Sequence, residues 1–263
     1  MLKNRETEMP VALSIAGSDS GAGAGIQVDL LTFAAQGVYG TTAITCLTAQ
    51  NPQGVSDIHV APAQFVIEQC RQVTKHYHPK AIKTGMLFNS EIVLAVADFL
   101  TQSSIPYVVD PVMVASSGAT LLSPESIAAV KNYLIPRATL VTPNLDEASL
   151  LLGRKAHGGE KNEAEASELA HCFGVPFLLK GGHALGYELI DTLAWPDGKT
   201  LSLKAKRIPE IDTHGSGCTL SAAITAQLAL GQDLATATTL AHRYLQEAMK
   251  NPIRVAGLKH IRH

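Results

Sequence analysis

The chain has few aromatic residues, only 5%, with a single Trp, so it has little to offer as a base-stacking surface for single-stranded nucleic acid. Charge of one sign is also missing. Lys plus Arg number 21 and Asp plus Glu 23, a formal net charge of −2, which leaves no global field for nucleic acid or anionic lipid. Neither a nucleic-acid partner nor a membrane is expected. No long hydrophobic run occurs: the longest, Ile92 to Ala97, falls far short of the roughly twenty residues a span needs. Residues 1–9 are polar, without the apolar segment of a secretory leader, so a cytoplasmic location is expected. Cys46, Cys70, Cys172 and Cys218 stand far apart and form no CxxC or His/Cys cluster, which argues against a disulfide framework or a zinc site.

What is present is 46% hydrophobic residues across 263, enough for a sizeable core. Short apolar runs alternate with amphipathic segments. Strands are predicted at 11–16, 39–47, 80–84, 107–109, 139–142 and 176–179, and an antiparallel hairpin over 189–206 turns at Pro196-Asp197-Gly198-Lys199. Helices are predicted at 26–36, 62–74, 90–100, 124–134, 144–152, 163–173, 215–230 and 234–249. In the first of these, Ile26, Leu30, Leu31 and Ala34 are spaced for one buried face. Strands separated by helices imply a mostly parallel sheet covered on both faces, an α/β protein with a three-layer α/β/α arrangement. Residues 1–10 read as a polar extension and residues 11–263 as a single domain. Ligands in such sheets bind beyond the carboxyl ends of the strands.

Near the end, Asp212-Thr213-His214-Gly215-Ser216-Gly217-Cys218-Thr219 opens a helical stretch. Gly215 and Gly217 around Ser216 allow a tight bend, so several N–H groups can converge on one anion, and the helix adds its positive end. That is the chemistry of a hole for a transferring phosphoryl group; a plain turn before a helix is the other reading. GxxxxGK[ST] is absent, so this is not a Walker A loop. Cys218, at the helix start, is expected to have a lowered thiol pKa and is either a base for a substrate hydroxyl or a small buried residue. His214 either meets ligand or merely packs or caps.

Seven segments, in order, carry a resemblance: Ile15-Ala16-Gly17-Ser18-Asp19 with Gly23-Ala24-Gly25-Ile26-Gln27-Val28-Asp29; Thr48-Ala49-Gln50-Asn51; Lys83-Thr84-Gly85-Met86-Leu87; Asp110-Pro111-Val112-Met113; Thr142-Pro143-Asn144-Leu145-Asp146-Glu147-Ala148; Lys180-Gly181-Gly182-His183; and Thr213 to Ser221. Across residues 11 to about 230 the chain resembles the hydroxymethylpyrimidine/phosphomethylpyrimidine kinases of the ribokinase-like superfamily. The resemblance implies an ATP-dependent, magnesium-requiring kinase that phosphorylates 4-amino-5-hydroxymethyl-2-methylpyrimidine and then its monophosphate, for thiamin synthesis. It also implies a homodimer. A pyridoxal or pyridoxine kinase on the same scaffold, or a non-catalytic pyrimidine-binding protein, are the alternatives.

On this resemblance Gln50 orients the pyrimidine, Ala24 touches it through its main chain, and Asp29 lies near its pocket, although Asp29 could equally be a first-turn acid. Met86 and Val112 wall the ring or pack in the core. Asn144 and Glu147 organise Mg²⁺ through water, or are an N-cap and its capping-box acid; Asp110 is a second acid for the metal and phosphate region. Lys180 and Thr213 lie by the nucleotide, and amides of Gly215, Ser216, Gly217 and Cys218 form the anion hole. His183 is expected to be structural. The chain departs from the family pattern at Ser216, where Thr is common, at Asp146 in place of Pro, and at Ser116, where Lys usually precedes Ser-Gly.

Overall fold

The apolar runs fold as strands Val11–Asp19 (β1), Tyr39–Asn51 (β2), Gly54–Val60 (β3), Ala81–Thr84 (β4), Tyr107–Val109 (β5), Leu140–Val141 (β6), Phe177–Leu179 (β7), Glu188–Ala194 (β8) and Thr200–Lys206 (β9). Helices Gly25–Ala35 (α1), Ala63–Tyr77 (α2), Ser90–Thr101 (α3), Pro124–Ala129 (α4), Leu145–Leu152 (α5), Asn162–Phe173 (α6), Ser216–Ala229 (α7) and Leu234–Lys250 (α8) lie between and after them. A small hairpin, Ile253–Val255 (β10) with Leu258–His260 (β11), follows α8. The computed structural model describes residues 8–114, 121–182, 188–209, 211 and 213–263; the expectations for Ser116, His183 and Asp212 fall outside these. Among the described residues no helix is long and apolar enough to cross a membrane.

The strands form one sheet in the order β3-β2-β1-β4-β5-β6-β7-β8-β9. Neighbours from β2 to β7 pair in parallel, while β3, β8 and β9 add antiparallel pairs at the two edges. The interior strands β4 to β7 are buried at every position, as expected where helices cover both faces. Alternation along each strand divides the core. Val109, Val141, Phe177 and Leu179 face the layer containing α2 to α6. Val108, Leu140 and Leu178 face α7 and α8. Ala12 and Ala81 meet Phe33 of α1 and Ala222 and Ala226 of α7. These alanines let α7 lie close against the sheet, and it is buried nearly all round.

From β1 the chain moves outward to β2 and β3, then returns through α2 to place β4 on the other side of β1. The order therefore reverses between β1 and β4, which opens a crevice at their carboxyl ends.

Two expectations need correction, and one strand went unread. The buried face of α1 carries Ile26, Val28, Asp29, Thr32 and Phe33, while Leu31 is 49% exposed and Ala34 is also exposed. The helix is rotated so that Asp29 points inward. β3, unread in the sequence, is mostly exposed and is held by main-chain pairing to β2, so its side chains carry no alternation. The helix read as 124–134 is α-helical only to Ala129 and continues as one wider turn, Val130–Leu134.

Asp29 faces inward because β4 supplies its counter-charge. Lys83 and Asp29 are both fully buried, and the ammonium lies 2.9 Å from each carboxylate oxygen. Ser14 of β1 donates to Asp29 Oδ2 at 2.5 Å. Burial opposes the charged lysine, but the Asp29 carboxylate holds Lys83 above its ordinary range. Lys83→Met, which leaves buried Asp29 without its counter-charge, is expected to cost about 3–5 kcal/mol, read from the urea midpoint. Adding Asp29→Leu should recover most of that loss; a single variant as stable as the parent would contradict the pair's role in seating α1.

Candidate active site

β1 ends in Asp19, whose side chain organises the glycine-rich loop that follows. Its Oδ1 accepts from the amide of Gly21 at 2.8 Å, and its Oδ2 from those of Gly23 at 3.1 Å and Ala24 at 2.9 Å. Burial works against this charge, but His214 and the loop amides outweigh it and hold Asp19 below the usual carboxylate range. Ala24 is the N-cap of α1, and its amide is turned into the loop toward Asp19.

Gln50 lies near the end of β2, half-buried, across the loop. Its main chain and Ser20 Oγ exchange two bonds of 2.8 Å, and its side chain meets Thr48 and His214 at 3.2 Å each. Met86 and Val112, beyond the ends of β4 and β5, are partly exposed, whereas their neighbours Leu87 and Met113 are buried. Of their two readings, wall and core, this exposure favours the wall. Met86 packs against Gly17 so closely that a Cβ there would come within 2.9 Å of its methyl.

The N-cap of α7 is Gly215, which has φ +79°. A Cβ on Gly215 would fall 2.0 Å from the carbonyl oxygen of Gly23, so glycine is required twice over, by conformation and by space. Ser216 N–H donates to the carbonyl of the exposed Thr213 at 3.0 Å, closing the turn. At Gly217 a Cβ would stand 3.2 Å from Lys180 Nζ. The first amides of a helix have no partner within it; Ser216 N–H is taken by the turn, and those of Gly217 and Cys218 follow beside that ammonium, a favourable place for an anion.

Lys180 Nζ lies 3.1 Å from Asp110 Oδ1, and Ser221 of α7 donates to Asp110 Oδ2 at 3.1 Å. Burial disfavours both charges, yet Lys180 keeps Asp110 below its ordinary value and Asp110 keeps Lys180 above its own. Glu147 is 3% exposed, and burial pushes it up, with Lys180 offsetting part. Asn144 and Glu147 form the capping box of α5, with reciprocal bonds of 2.9 and 2.8 Å. Glu147 also accepts from Met113 N–H at 3.3 Å. Among the described residues no three His, Cys, Asp or Glu converge as a metal cage. Asp110 and Glu147, both already hydrogen-bonded, fit a magnesium ion that keeps its water shell.

Two expectations change here. Asp29 presents no surface to a ligand: it stands behind the pocket as the partner of Lys83. Cys218 does not have a lowered pKa. Burial pushes its thiol up to about 11, with Lys83 offsetting only part of that, because the cost of desolvating a thiolate outweighs what the nearby lysine returns. Asp19 and Lys83 went without a role in the sequence reading. Each left a signal: an acid two residues before a glycine suits a loop-closing bond, and a lysine inside an apolar strand needs a buried counter-charge.

A switch-point crevice with a helix start and a paired lysine on one side and the polar and apolar side chains of Gln50, Met86 and Val112 on the other suits a ribokinase-like small-molecule phosphotransferase. Residues 19–261 match the model of the phosphomethylpyrimidine kinase family. The chain belongs to that family. A hydroxymethylpyrimidine/phosphomethylpyrimidine kinase of Rhizobium meliloti is 48% identical over 241 residues, covering 91% of this chain and 90% of the relative. The crystal structure of a phosphomethylpyrimidine kinase from Clostridium difficile is 39% identical, covers 91% of this chain and 99% of its own, and superposes with a TM-score of 0.80. A pyridoxal kinase of Bacillus subtilis, solved as an ADP complex, is 33% identical with a TM-score of 0.89, covering 97% of this chain and 98% of its own.

The two glycines at the start of α7 should respond differently to a methyl group. Gly215→Ala meets backbone at positive φ and is expected to lower stability by about 1–3 kcal/mol. Gly217→Ala meets the movable end of Lys180, and is expected to keep its melting temperature while weakening ATP-analogue binding. Equal melting temperatures for the two variants would contradict this geometry.

Proposed function

We propose that the chain transfers the γ-phosphoryl group of ATP to the hydroxymethyl oxygen of 4-amino-5-hydroxymethyl-2-methylpyrimidine, then to the phosphate of the product, yielding the diphosphate for thiamin synthesis. One observation carries the reading: the start of α7, with Lys180 beside Gly217, packs directly on the loop that Asp19 organises and meets the side chain of Gln50 through His214. In this reading the ring rests on Met86 and Val112, Gln50 meets its polar edge, and the hydroxymethyl oxygen points to the amides of 215–218. Lys180 and Thr213 attend the nucleotide. Asp110 and Glu147 would hold hydrated magnesium, which would supply positive charge to neutralise the phosphates. We take the protein to act as a homodimer, as the resemblance implies.

In the transfer, the substrate O–H bond and the bond from the γ-phosphorus to its bridging oxygen break, and a new O–P bond forms. Charge gathers on the oxygens in flight, and fixed amides together with Lys180 stabilise it without reorganising. The proton passes to Cys218 or to a phosphate oxygen. Because the resting group is a thiol with a pKa of about 11, a thiolate base would make kcat/KM rise with pH up to that value.

The likeness to a pyridoxal kinase favours a second reading, in which the ring is pyridoxal. The experiment supplies Mg·ATP with the aminopyrimidine, follows its mono- and diphosphate separately, and adds pyridoxal as competitor. Both phosphates are expected; phosphorylation of pyridoxal alone would overturn the proposal. Cys218→Ala is expected to lower kcat by about 10²–10⁴-fold and to flatten the rise with pH. A loss under about tenfold would assign the proton to a phosphate oxygen.

A further inference from the structure

His214 turns one ring nitrogen toward two groups of opposite kind. Its Nε2 lies 3.2 Å from the side-chain nitrogen of Gln50 and 3.4 Å from Asp19 Oδ2. The ring is seated against bare backbone, since a Cβ on Gly23 would come within 2.7 Å of it. A ring nitrogen either donates or accepts. Without a hydrogen, Nε2 accepts from the Gln50 NH₂ group. With one, it donates to Asp19, and Gln50 then has to turn its oxygen toward the imidazole.

Thr48 does not resist that turn. Its hydroxyl lies 3.2 Å from Gln50 Oε1 but 3.0 Å from the carbonyl of Ser18, and its single hydrogen serves one acceptor at a time. When it donates to Ser18, its lone pairs accept from Gln50 NH₂ instead. Two arrangements therefore exist on the same heavy atoms, the second with the single Nε2 hydrogen shared between Asp19 Oδ2 and the Gln50 oxygen. In one the amide nitrogen faces His214 and the oxygen faces Thr48; in the other the amide is reversed.

The reversal matters for the ring named above, and the inference rests on that reading. A 4-aminopyrimidine presents a donor, its exocyclic amine, beside an acceptor, the adjacent ring nitrogen. A primary amide meets this edge with two hydrogen bonds in one orientation. In the other it opposes donor to donor and acceptor to acceptor. We propose that His214 is a specificity-determining positioning residue, which fixes through its Nε2 the amide edge that Gln50 presents to the ring. Overlaid on its hydroxymethyl carbon, pyridoxal carries a formyl group where the pyrimidine has its amine and a hydroxyl where the pyrimidine has the adjacent ring nitrogen, so it lacks the donor-beside-acceptor edge that this amide orientation matches.

The test measures binding of three rings to the full chain by calorimetry: the aminopyrimidine, its analogue lacking the 4-amino group, and pyridoxal. His214→Phe keeps a ring over Gly23 but removes the nitrogen; His214→Asn is the second variant should Phe disturb the turn. Affinity for the aminopyrimidine is expected to fall about fivefold to tenfold, the worth of a misdirected hydrogen bond, with the other two rings unchanged. In a Gln50→Ala background the same substitution should have no further effect on any ring. If the parent binds the aminopyrimidine but His214→Phe weakens all three rings equally, or acts additively with Gln50→Ala, the role of His214 is overturned and the proposed function stands. If the parent does not bind the aminopyrimidine, both are overturned.

Discussion

The pairing of Lys83 with Asp29 is the interaction from which the architecture of the crevice follows. A lysine and a carboxylate buried completely have to meet each other, and here they meet at the reversal of strand order, one on β4 and the other on α1, with Ser14 of β1 completing the bond. The pair sets the rotation of α1 about its axis. That rotation directs the chain entering α1, which is the loop held by Asp19. The loop presents the carbonyl of Gly23 to Gly215, where only a glycine allows contact, and this contact sets how closely α7 approaches. A second pair, Lys180 with Asp110, continues the line of buried charge to the far side of α7, where Ser221 ties it to the helix.

The site is built from groups that also close the fold. Glu147 caps α5 and is one of the two acids suited to hydrated magnesium. Asp110 anchors Lys180 and binds α7 through Ser221, so the ammonium beside the helix start has one preferred position before any phosphate arrives. Such preorganisation is what stabilises charge in phosphoryl transfer, since little reorganisation remains to be done. Cys218 fits this picture as a half-buried thiol in a field already set by lysines, rather than as a resting thiolate.

Much of this was legible in the sequence, for physical reasons that can be named. Apolar runs such as Tyr107–Val109 and Phe177–Leu179 read as strands because burial on both faces demands them. The turn at Pro196–Lys199 carried its own chemistry and closes with Trp195 N–H on the carbonyl of Lys199. Asn144 and Glu147 announced a capping box, and one formed. What was hidden is equally particular. Hydrophobic spacing assigned the wrong face of α1, because the inward residue at its centre is an aspartate whose partner lies far along the chain. β3 and the hairpin after α8 are held by main-chain bonds between largely exposed residues, so no periodicity marks them. The raised thiol of Cys218 depends on how neighbouring elements desolvate it, which local sequence does not specify.

A crystal structure of the chain with the aminopyrimidine and a non-hydrolysable ATP analogue would test the central claim, that the glycine-rich loop and the start of α7 form one phosphoryl-transfer site. The account requires the ring between Met86 and Gln50, its hydroxymethyl oxygen toward the amides of 215–218, and the terminal phosphate beside Lys180. A ring bound elsewhere, or one whose hydroxymethyl group points away from α7, would contradict it.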